Sequence, residues 1–189
     1  MSESSGAAEM VAAVLAGNRQ AFAPLVEQNQ AVIYNFTYRY TRSRTDAEDL
    51  TQETFLRAFR HLHQYRCHLP FHNWLYGIAA NVCRDWSRRC SVRPPTARRP
   101  EENGENPSAI ADADPSDLMN NAENRRQLEE AVRALPDSYK TAFILFYIQE
   151  VSQAEIARAL GLPLTVVKNR LYRARMMLRK SLAASEVNL

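Results

Sequence analysis

A row of basic side chains near the end of the chain offers the clearest chemistry in the sequence. Basic groups at this density either bind a polyanion such as a nucleic acid or form only the solvated face of an amphipathic helix. The elements that position them decide between these two interpretations. The row has no acid among its members, which are Lys168, Arg170, Arg173, Arg175, Arg179 and Lys180.

Two helices joined by a tight turn are predicted around this row. Ser152 and Glu155 have the spacing of a capping box, which predicts a short helix from Ser152 to about Leu160. Gly161 permits a sharp turn, and Pro163 suits the first position of a second, longer helix. This is the pattern of a helix-turn-helix, so DNA binding is favoured over a merely solvated face.

The second helix has separate buried and outward faces. Apolar residues at spacings of three and four predict an inward stripe of Leu164, Val167, Leu171, Ala174, Leu178 and Leu182. The outward face then holds Thr165, Asn169, Tyr172, Arg173, Met176 and Lys180, with Lys168, Arg175 and Arg179 on one rim and Arg170 on the other. Lys168 and Asn169 suit contacts with base edges, and the later arginines suit phosphates.

The composition limits the classes of protein to consider. The net charge of the 189-residue chain is only +3, so a nucleic-acid footprint must come from local clusters. Cys67, Cys83 and Cys90 form no CxxC pair, and no segment has the pattern of a signal peptide or a membrane span. We therefore expect a cytoplasmic protein. No glycine-rich phosphate loop or nucleophile constellation indicates an enzyme.

The chain is predicted to be all-α, with two small helical domains. Residues 92–115 contain five prolines and few large apolar groups, so they are expected to form a flexible linker. The domains then occupy residues 1–91 and 116–189, and the second contains the helix-turn-helix.

A charged helix is predicted in the first domain, opened by a capping box at Thr45. Thr51, Phe55, Ala58 and Leu62 line its core face, while Leu50 and Leu56 flank this stripe and are expected off the core side. The opposite face is either an intramolecular charge pattern or a docking surface, and the residues leave both open. That face holds Asp46, Asp49, Glu53, Arg57 and Arg60.

The next predicted helix, FHNWLYGIAANVCRDWSRRC, has two stripes. Leu75, Ile78, Val82 and Trp86 face inward, and beside them lie Trp74, Gly77, Asn81, Arg84 and Arg88. A ring, an amide and arginines in one row suit single-stranded DNA, because rings stack on bases and arginines hold the backbone. The alternative is that Trp74 belongs to the core and the arginines are solvated.

A cluster of soft ligands precedes this helix. It invites a metal hypothesis, but no pair has a strong zinc-ligand spacing such as CxxC. We therefore predict no metal and no cofactor. These side chains are expected to be polar groups of the loop. The cluster comprises His61, His63, Cys67, His68 and His72.

Three segments together resemble the extracytoplasmic-function (ECF) group of the sigma-70 family. They are DAEDLTQETFLRAFR, WLYGIAANVCRDWSRR and the stretch from LPDSYKTAFILF through the helix-turn-helix to RMMLRKSL. The resemblance covers nearly the whole chain outside the linker and the first residues. It implies a promoter-specificity subunit of bacterial RNA polymerase and not an enzyme.

The resemblance also implies roles for individual residues. It places polymerase docking on Asp46, Asp49, Gln52, Glu53, Leu56, Arg57 and Arg60. It places minus-ten DNA on Trp74, Asn81, Arg84 and Arg88, with Asn81 at a pocket for a flipped-out base. It assigns contacts with minus-thirty-five DNA to the helix-turn-helix at 152–172, at residues Thr165, Lys168, Asn169, Arg170, Tyr172 and Arg173.

Partners follow from the same resemblance: core RNA polymerase, promoter DNA and an anti-sigma protein, which is often membrane-anchored. The family often has serine at Asn169 and Gly-Thr at Leu164-Thr165, so the preferred promoter sequence is left open. The alternative is a freestanding helix-turn-helix regulator that binds palindromic DNA and needs no polymerase.

Overall fold

The computed structural model describes residues 3–67, 69–92 and 126–186, and all regular structure in these ranges is helical. The all-α prediction is confirmed. The predicted linker lies outside the described residues, except that Val92 ends a helix. No helix in the described ranges is long and apolar enough to cross a membrane.

The first domain contains four α-helices: α1 (Glu3–Leu15), α2 (Phe22–Thr41), α3 (Arg44–Arg60) and α4 (Phe71–Val92). Short 3-10 turns at Arg19–Ala21 and Leu62–Gln64 follow α1 and α3. The core contains side chains from α2, α3 and α4, including Leu25, Phe36, Phe55 and Leu75. The amphipathic spacing in each helix produces this packing, because each apolar stripe must be buried against a neighbour.

Buried threonines connect α2 with α3. The Thr37 hydroxyl lies 3.0 Å from the Thr51 hydroxyl and donates to the Ala47 carbonyl oxygen at 3.1 Å. Thr51 donates to the same carbonyl at 2.7 Å. These hydroxyls therefore enter the core with hydrogen-bond partners, which removes most of the cost of burying them.

The start of α3 corrects the sequence prediction. The N-cap is Ser43, whose hydroxyl accepts a hydrogen bond from the Asp46 amide at 3.3 Å, and not Thr45. Leu50 is also buried, although it was expected off the core side. Burial of Thr51, Phe55, Ala58 and Leu62 is as predicted.

The first described helix of the second domain covers residues 126–133 and is here called α5. It is followed by α6 (Asp137–Phe143), which continues as a π-helical turn at Ile144–Ile148. Then come α7 (Gln153–Leu160) and α8 (Leu164–Glu186). The predicted capping box at Ser152 and Glu155 is present, and Gly161 adopts the left-handed conformation that makes the turn. The helix-turn-helix is confirmed.

Burial along α8 follows the predicted stripe at Val167, Leu171, Ala174 and Leu178. Leu164 departs from it, since 40 % of its surface is exposed. It occupies the first position of the helix.

The two domains pack against each other. One hydrophobic cluster includes Leu75, Ala79 and Val82 of α4 together with Ile156 and Val167 of the helix-turn-helix. A second, smaller cluster lies within the second domain and holds Ala131, Val132, Leu135, Ala174 and Leu178. The core therefore extends from one domain into the other.

Candidate polymerase and promoter-DNA interface

The outward face of α8 is exposed as predicted. Thr165, Lys168, Asn169, Tyr172 and Arg173 are all solvent-accessible. Tyr172, the aromatic residue in this set, has 55 % of its surface exposed. These side chains project from the second helix of a helix-turn-helix, which is the position from which such a motif contacts base edges.

A shallow groove lies beside this face. Lys168, Asn169 and Tyr172 line it, together with residues from the preceding helices. The sequence-based predictions did not include these residues of the preceding helices, although aromatic and amide side chains before a helix-turn-helix were visible in the chain. They are Phe146, Tyr147 and Gln153.

Arg170 differs from the other basic residues of α8 because it is half-buried. Burial first, and then the positive charge of Arg84, lower the pKa of its guanidinium. Arg84 lies on α4 of the first domain and is also half-buried. The structure thus brings together one residue predicted for minus-thirty-five DNA and one predicted for minus-ten DNA.

The charged face of α3 divides into two groups. Arg57 donates from Nε to Glu53 at 2.7 Å and from Nη1 to Asp85 of α4 at 2.9 Å. These bonds raise the pKa of Arg57, with the bond to Asp85 contributing most. Trp86 Nε1 donates to Asp46 at 3.3 Å. Asp46 and Arg57 therefore connect α3 to α4, and Glu53 pairs with Arg57 within α3.

The rest of that face is open. Asp49, Gln52, Leu56 and Arg60 are exposed, and Leu56 has 53 % of its surface accessible. Phe59 is also 38 % exposed while its ring meets Phe22 edge-on at 5.1 Å between centroids. An exposed leucine and phenylalanine among charged groups form a surface suited to a protein partner.

The predicted minus-ten stripe of α4 also contains both half-buried and exposed residues. Trp74 is half-buried in an aromatic cluster, 5.5 Å from the rings of both Tyr65 and Phe71. Arg88 is exposed, and Asn81 is exposed and accepts a hydrogen bond from Arg84 at 2.7 Å. Trp74 therefore contributes to the core as well as to the surface, because the loop before α4 folds over its ring.

Four members of the histidine cluster, His61, His63, Cys67 and His72, lie in the described residues. Within the ranges that the structure describes, no group of three His, Cys, Asp or Glu side chains is placed to hold a metal ion. His61 and His63 lie 6.3 Å apart between ring centroids, and His72 packs against Tyr76. His68 lies outside the described residues.

These elements define a class of protein: a helical, two-domain DNA-binding protein with a helix-turn-helix and a second exposed docking surface. The chain belongs to the sigma-70 family of RNA polymerase sigma factors, ECF group. Residues 25–91 match the family description "Sigma-70 region 2", and residues 125–178 match "Sigma-70, region 4".

Curated relatives agree with this assignment. The ECF RNA polymerase sigma factor SigW of Bacillus subtilis is 33 % identical over 172 residues, covering 88 % of this chain and 91 % of its own. The ECF RNA polymerase sigma-E factor of Haemophilus influenzae is 31 % identical over 92 % of this chain and 93 % of its own.

Two solved structures share the fold. CnrH, in complex with the cytosolic domain of CnrY, superposes with a TM-score of 0.65 at 25 % identity, over 96 % of this chain and 97 % of its own. The sigma factor RpoE of Bartonella quintana, in complex with the anti-sigma factor NepR, gives 0.63 at 20 % identity, over 86 % of this chain and 96 % of its own.

Proposed function

We propose that this chain binds core RNA polymerase and directs it to a set of promoters, and that it acts in the cytoplasm without catalysing a reaction itself. The observation that carries the proposal is the exposed row on α8, presented by a capped helix-turn-helix. Family membership supports polymerase-dependent promoter recognition as the function of that row. A freestanding regulator is the competing outcome of the tests below.

Different surfaces would carry the separate steps. Minus-thirty-five DNA would meet the exposed residues Thr165, Lys168, Asn169, Tyr172 and Arg173, together with the half-buried Arg170. Minus-ten DNA would meet Asn81, Arg84 and Arg88, with Trp74 at the edge of the aromatic cluster. The proposed domains are 1–91 and 116–189, joined by 92–115, a division that the matched segments 25–91 and 125–178 support.

Polymerase docking is proposed for the exposed part of α3. Asp49, Gln52, Leu56 and Arg60 would contact the polymerase directly. Asp46 and Arg57 would support that surface by connecting α3 to α4, and Glu53 would support it by pairing with Arg57. This assigns different work to two groups that the sequence placed on one face.

An inhibitory partner is also proposed. CnrH and the Bartonella RpoE were both solved with a bound protein, CnrY and the anti-sigma factor NepR respectively. We propose a protein of the anti-sigma class for this chain as well. Copurification from the host with polymerase alone, under all growth conditions, would remove this part of the proposal.

The first experiment is comigration of the purified chain with bacterial core RNA polymerase on a sizing column. The test variant is Asp49→Lys combined with Leu56→Ala, which should abolish comigration and leave helical content unchanged. The matched control is Glu9→Lys, which reverses an exposed acid on α1, outside the matched segments. Free DNA bound by a dimer, with no comigration, would support a freestanding regulator.

A further inference from the structure

Three aromatic rings meet where α6 ends. The ring of Tyr147 lies 4.7 Å from that of Phe143 between centroids, and it meets the ring of Phe146 edge-on at 4.8 Å. These two neighbours restrict the orientation of the Tyr147 ring, yet 43 % of the surface of Tyr147 is exposed. An aromatic side chain that is held in place and still open to solvent is suited to recognition, because binding then costs it little conformational entropy.

The backbone at this point departs from a regular α-helix and then turns sharply. In the π-helical turn at Ile144–Ile148, the Gln149 amide donates to the Ile144 carbonyl oxygen at 3.0 Å. Glu150 then has a φ of 54°, in the left-handed region that residues other than glycine rarely adopt. Both features are unfavourable locally and are frequent at functional sites. Together they set the position of Tyr147 relative to α7, which begins three residues after Glu150.

Tyr147 lines the groove beside the outward face of α8, and the composition of this groove indicates its ligand. The other rings in the lining are Phe146 and Tyr172, and the cations are Lys168 and Arg175. Two amide side chains also line it, and none of the described residues in the lining is an acid. Rings, amides and cations without an acid are suited to a nucleic acid, which presents phosphates together with base edges.

The groove is continuous with the face of α8 that is proposed to contact minus-thirty-five DNA. Lys168, Asn169 and Tyr172 belong to both the groove and that face. A duplex bound by these three residues therefore lies next to the Tyr147 ring. In the major groove of DNA, thymine alone among the four bases presents a methyl group, and apolar side chains distinguish thymine by contact with it.

We propose that Tyr147 is a specificity-determining residue, whose ring packs against the methyl group of a thymine at or beside the minus-thirty-five element. This inference deepens the proposed function and rests on it. Phe143 is a positioning residue in this arrangement, because it contacts the Tyr147 ring and does not line the groove. Burial of one methyl group strengthens binding by about fourfold, which sets the size of the expected preference for thymine.

The test uses the full chain bound to core RNA polymerase, and its probe is a duplex that this complex selects from a randomised pool. Each thymine of the selected duplex is replaced in turn by deoxyuridine, which lacks only the methyl group. For each position, the measured quantity is the ratio of the dissociation constants for the deoxyuridine and thymine duplexes. Both constants come from one preparation of one variant, so an unfolded fraction of the chain cancels from the ratio.

Three variants are compared with the unaltered chain, for which deoxyuridine should weaken binding by about fourfold at one position or more. Tyr147→Ala should bring the ratio at such a position down to about one and leave the other ratios as they are. Tyr147→Phe keeps the ring and should keep the preference for thymine. The matched control is Ile148→Ala, which removes a neighbouring exposed apolar side chain outside the groove and should change no ratio.

The outcomes separate this inference from the proposed function. If a duplex is selected but Tyr147→Ala leaves every ratio unchanged, Tyr147 does not distinguish thymine, and the inference is overturned while the proposed function stands. Should Tyr147→Ala then abolish self-association of the chain in sedimentation, or its binding to polyglutamate, the groove holds a second copy or an acidic protein in place of DNA. If the complex with polymerase selects no sequence, the proposed function fails and this inference fails with it.

Discussion

At the scale of single residues, partners within the chain distinguish side chains that look equivalent in the sequence. Asp49 and Glu53 are both acids on one face of α3, yet Asp49 is exposed while Glu53 is bonded to Arg57. Arg57 is in turn bonded to Asp85, which the sequence places 28 positions away. A helical wheel of α3 cannot contain that contact, because Asp85 belongs to another helix.

This difference predicts opposite phenotypes for two substitutions. Arg57→Ala should lower the free energy of unfolding by about 1 kcal/mol or less, the usual value for half-exposed ion pairs, and weaken polymerase binding little. Leu56→Ala should leave stability within about 0.5 kcal/mol and weaken polymerase binding strongly. Urea unfolding and comigration with core polymerase measure the two effects. If Arg57→Ala alone abolished binding in a stable chain, Arg57 would contact the polymerase directly.

A second residue-level prediction concerns DNA specificity. Asn169→Ala, or Lys168→Ala, should weaken the free energy of DNA binding by about 1–3 kcal/mol through one position of the minus-thirty-five element. Specificity at that position should relax. Arg179→Ala is the comparison, since an exposed arginine near the end of α8 should weaken binding to all sequences alike and reduce the salt slope by about 1. Anisotropy titrations on duplexes altered at single positions distinguish these patterns. Uniform loss for Asn169→Ala would mean that it contacts only the backbone.

At the scale of elements, local signals predicted the second domain better than the first. Ser152, Glu155 and Gly161 act through bonds within one turn of chain, so their spacing alone locates α7. At α3, Ser43 and Thr45 are both possible N-cap residues, and in the structure the N-cap is the earlier one, Ser43. Leu50 was misplaced because burial depends on which neighbour covers a face, which periodicity along one helix does not contain.

The capping box makes α7 sensitive to substitution and to acid. Ser152→Ala should lower the free energy of unfolding by about 1 kcal/mol. The hydrogen bond from the Ser152 hydroxyl is the main cause that lowers the pKa of Glu155 below 4.5. A lowered carboxylate pKa stabilises the fold above the unfolded value, and this contribution is lost as the pH falls through the folded value.

Urea titrations at pH 7 and below pH 4.5 test this expectation. The difference in stability between Ser152→Ala and the unaltered chain should be present at pH 7 and shrink in acid. Ser152→Thr keeps a hydroxyl cap and should retain most of the stability at both values. A difference that did not change with pH would show that Glu155 contributes nothing through its charge.

At the scale of the whole molecule, the sequence indicated two domains but not their contact. Linker composition identifies a boundary, whereas the Asn73–Glu155 bond between α4 and α7 joins residues 82 positions apart. A Cβ atom at Gly77 of α4 would lie far inside contact distance of the Ala159 carbonyl oxygen of α7. In the sequence Gly77 was only one member of an α4 stripe. Close approach of two backbones leaves no periodic signature, so the role of a helical glycine becomes visible only when its neighbour is present.

The shared core predicts that damage in one domain is transmitted to the other. Ile156 of α7 is fully buried in the cluster that also contains Leu75 and Val82 of α4. Ile156→Ala should lower the free energy of unfolding by about 2–5 kcal/mol. Because its cavity borders both domains, amide exchange should accelerate in α4 as well as in α7.

Leu178→Ala is the matched control, because Leu178 is buried in the smaller cluster with Ala131, Val132 and Ala174. Leu178→Ala should lower the free energy of unfolding by a similar amount. It should accelerate amide exchange in α5 and α8 and leave α4 protected. Peptide-resolved hydrogen exchange in the full chain distinguishes the two patterns. If Ile156→Ala left α4 as protected as Leu178→Ala does, the domains would unfold independently and their common cluster would not couple them. Faster exchange in α4 for Ile156→Ala alone would mean that the common cluster couples the two domains, so that loosening α7 also loosens the first domain.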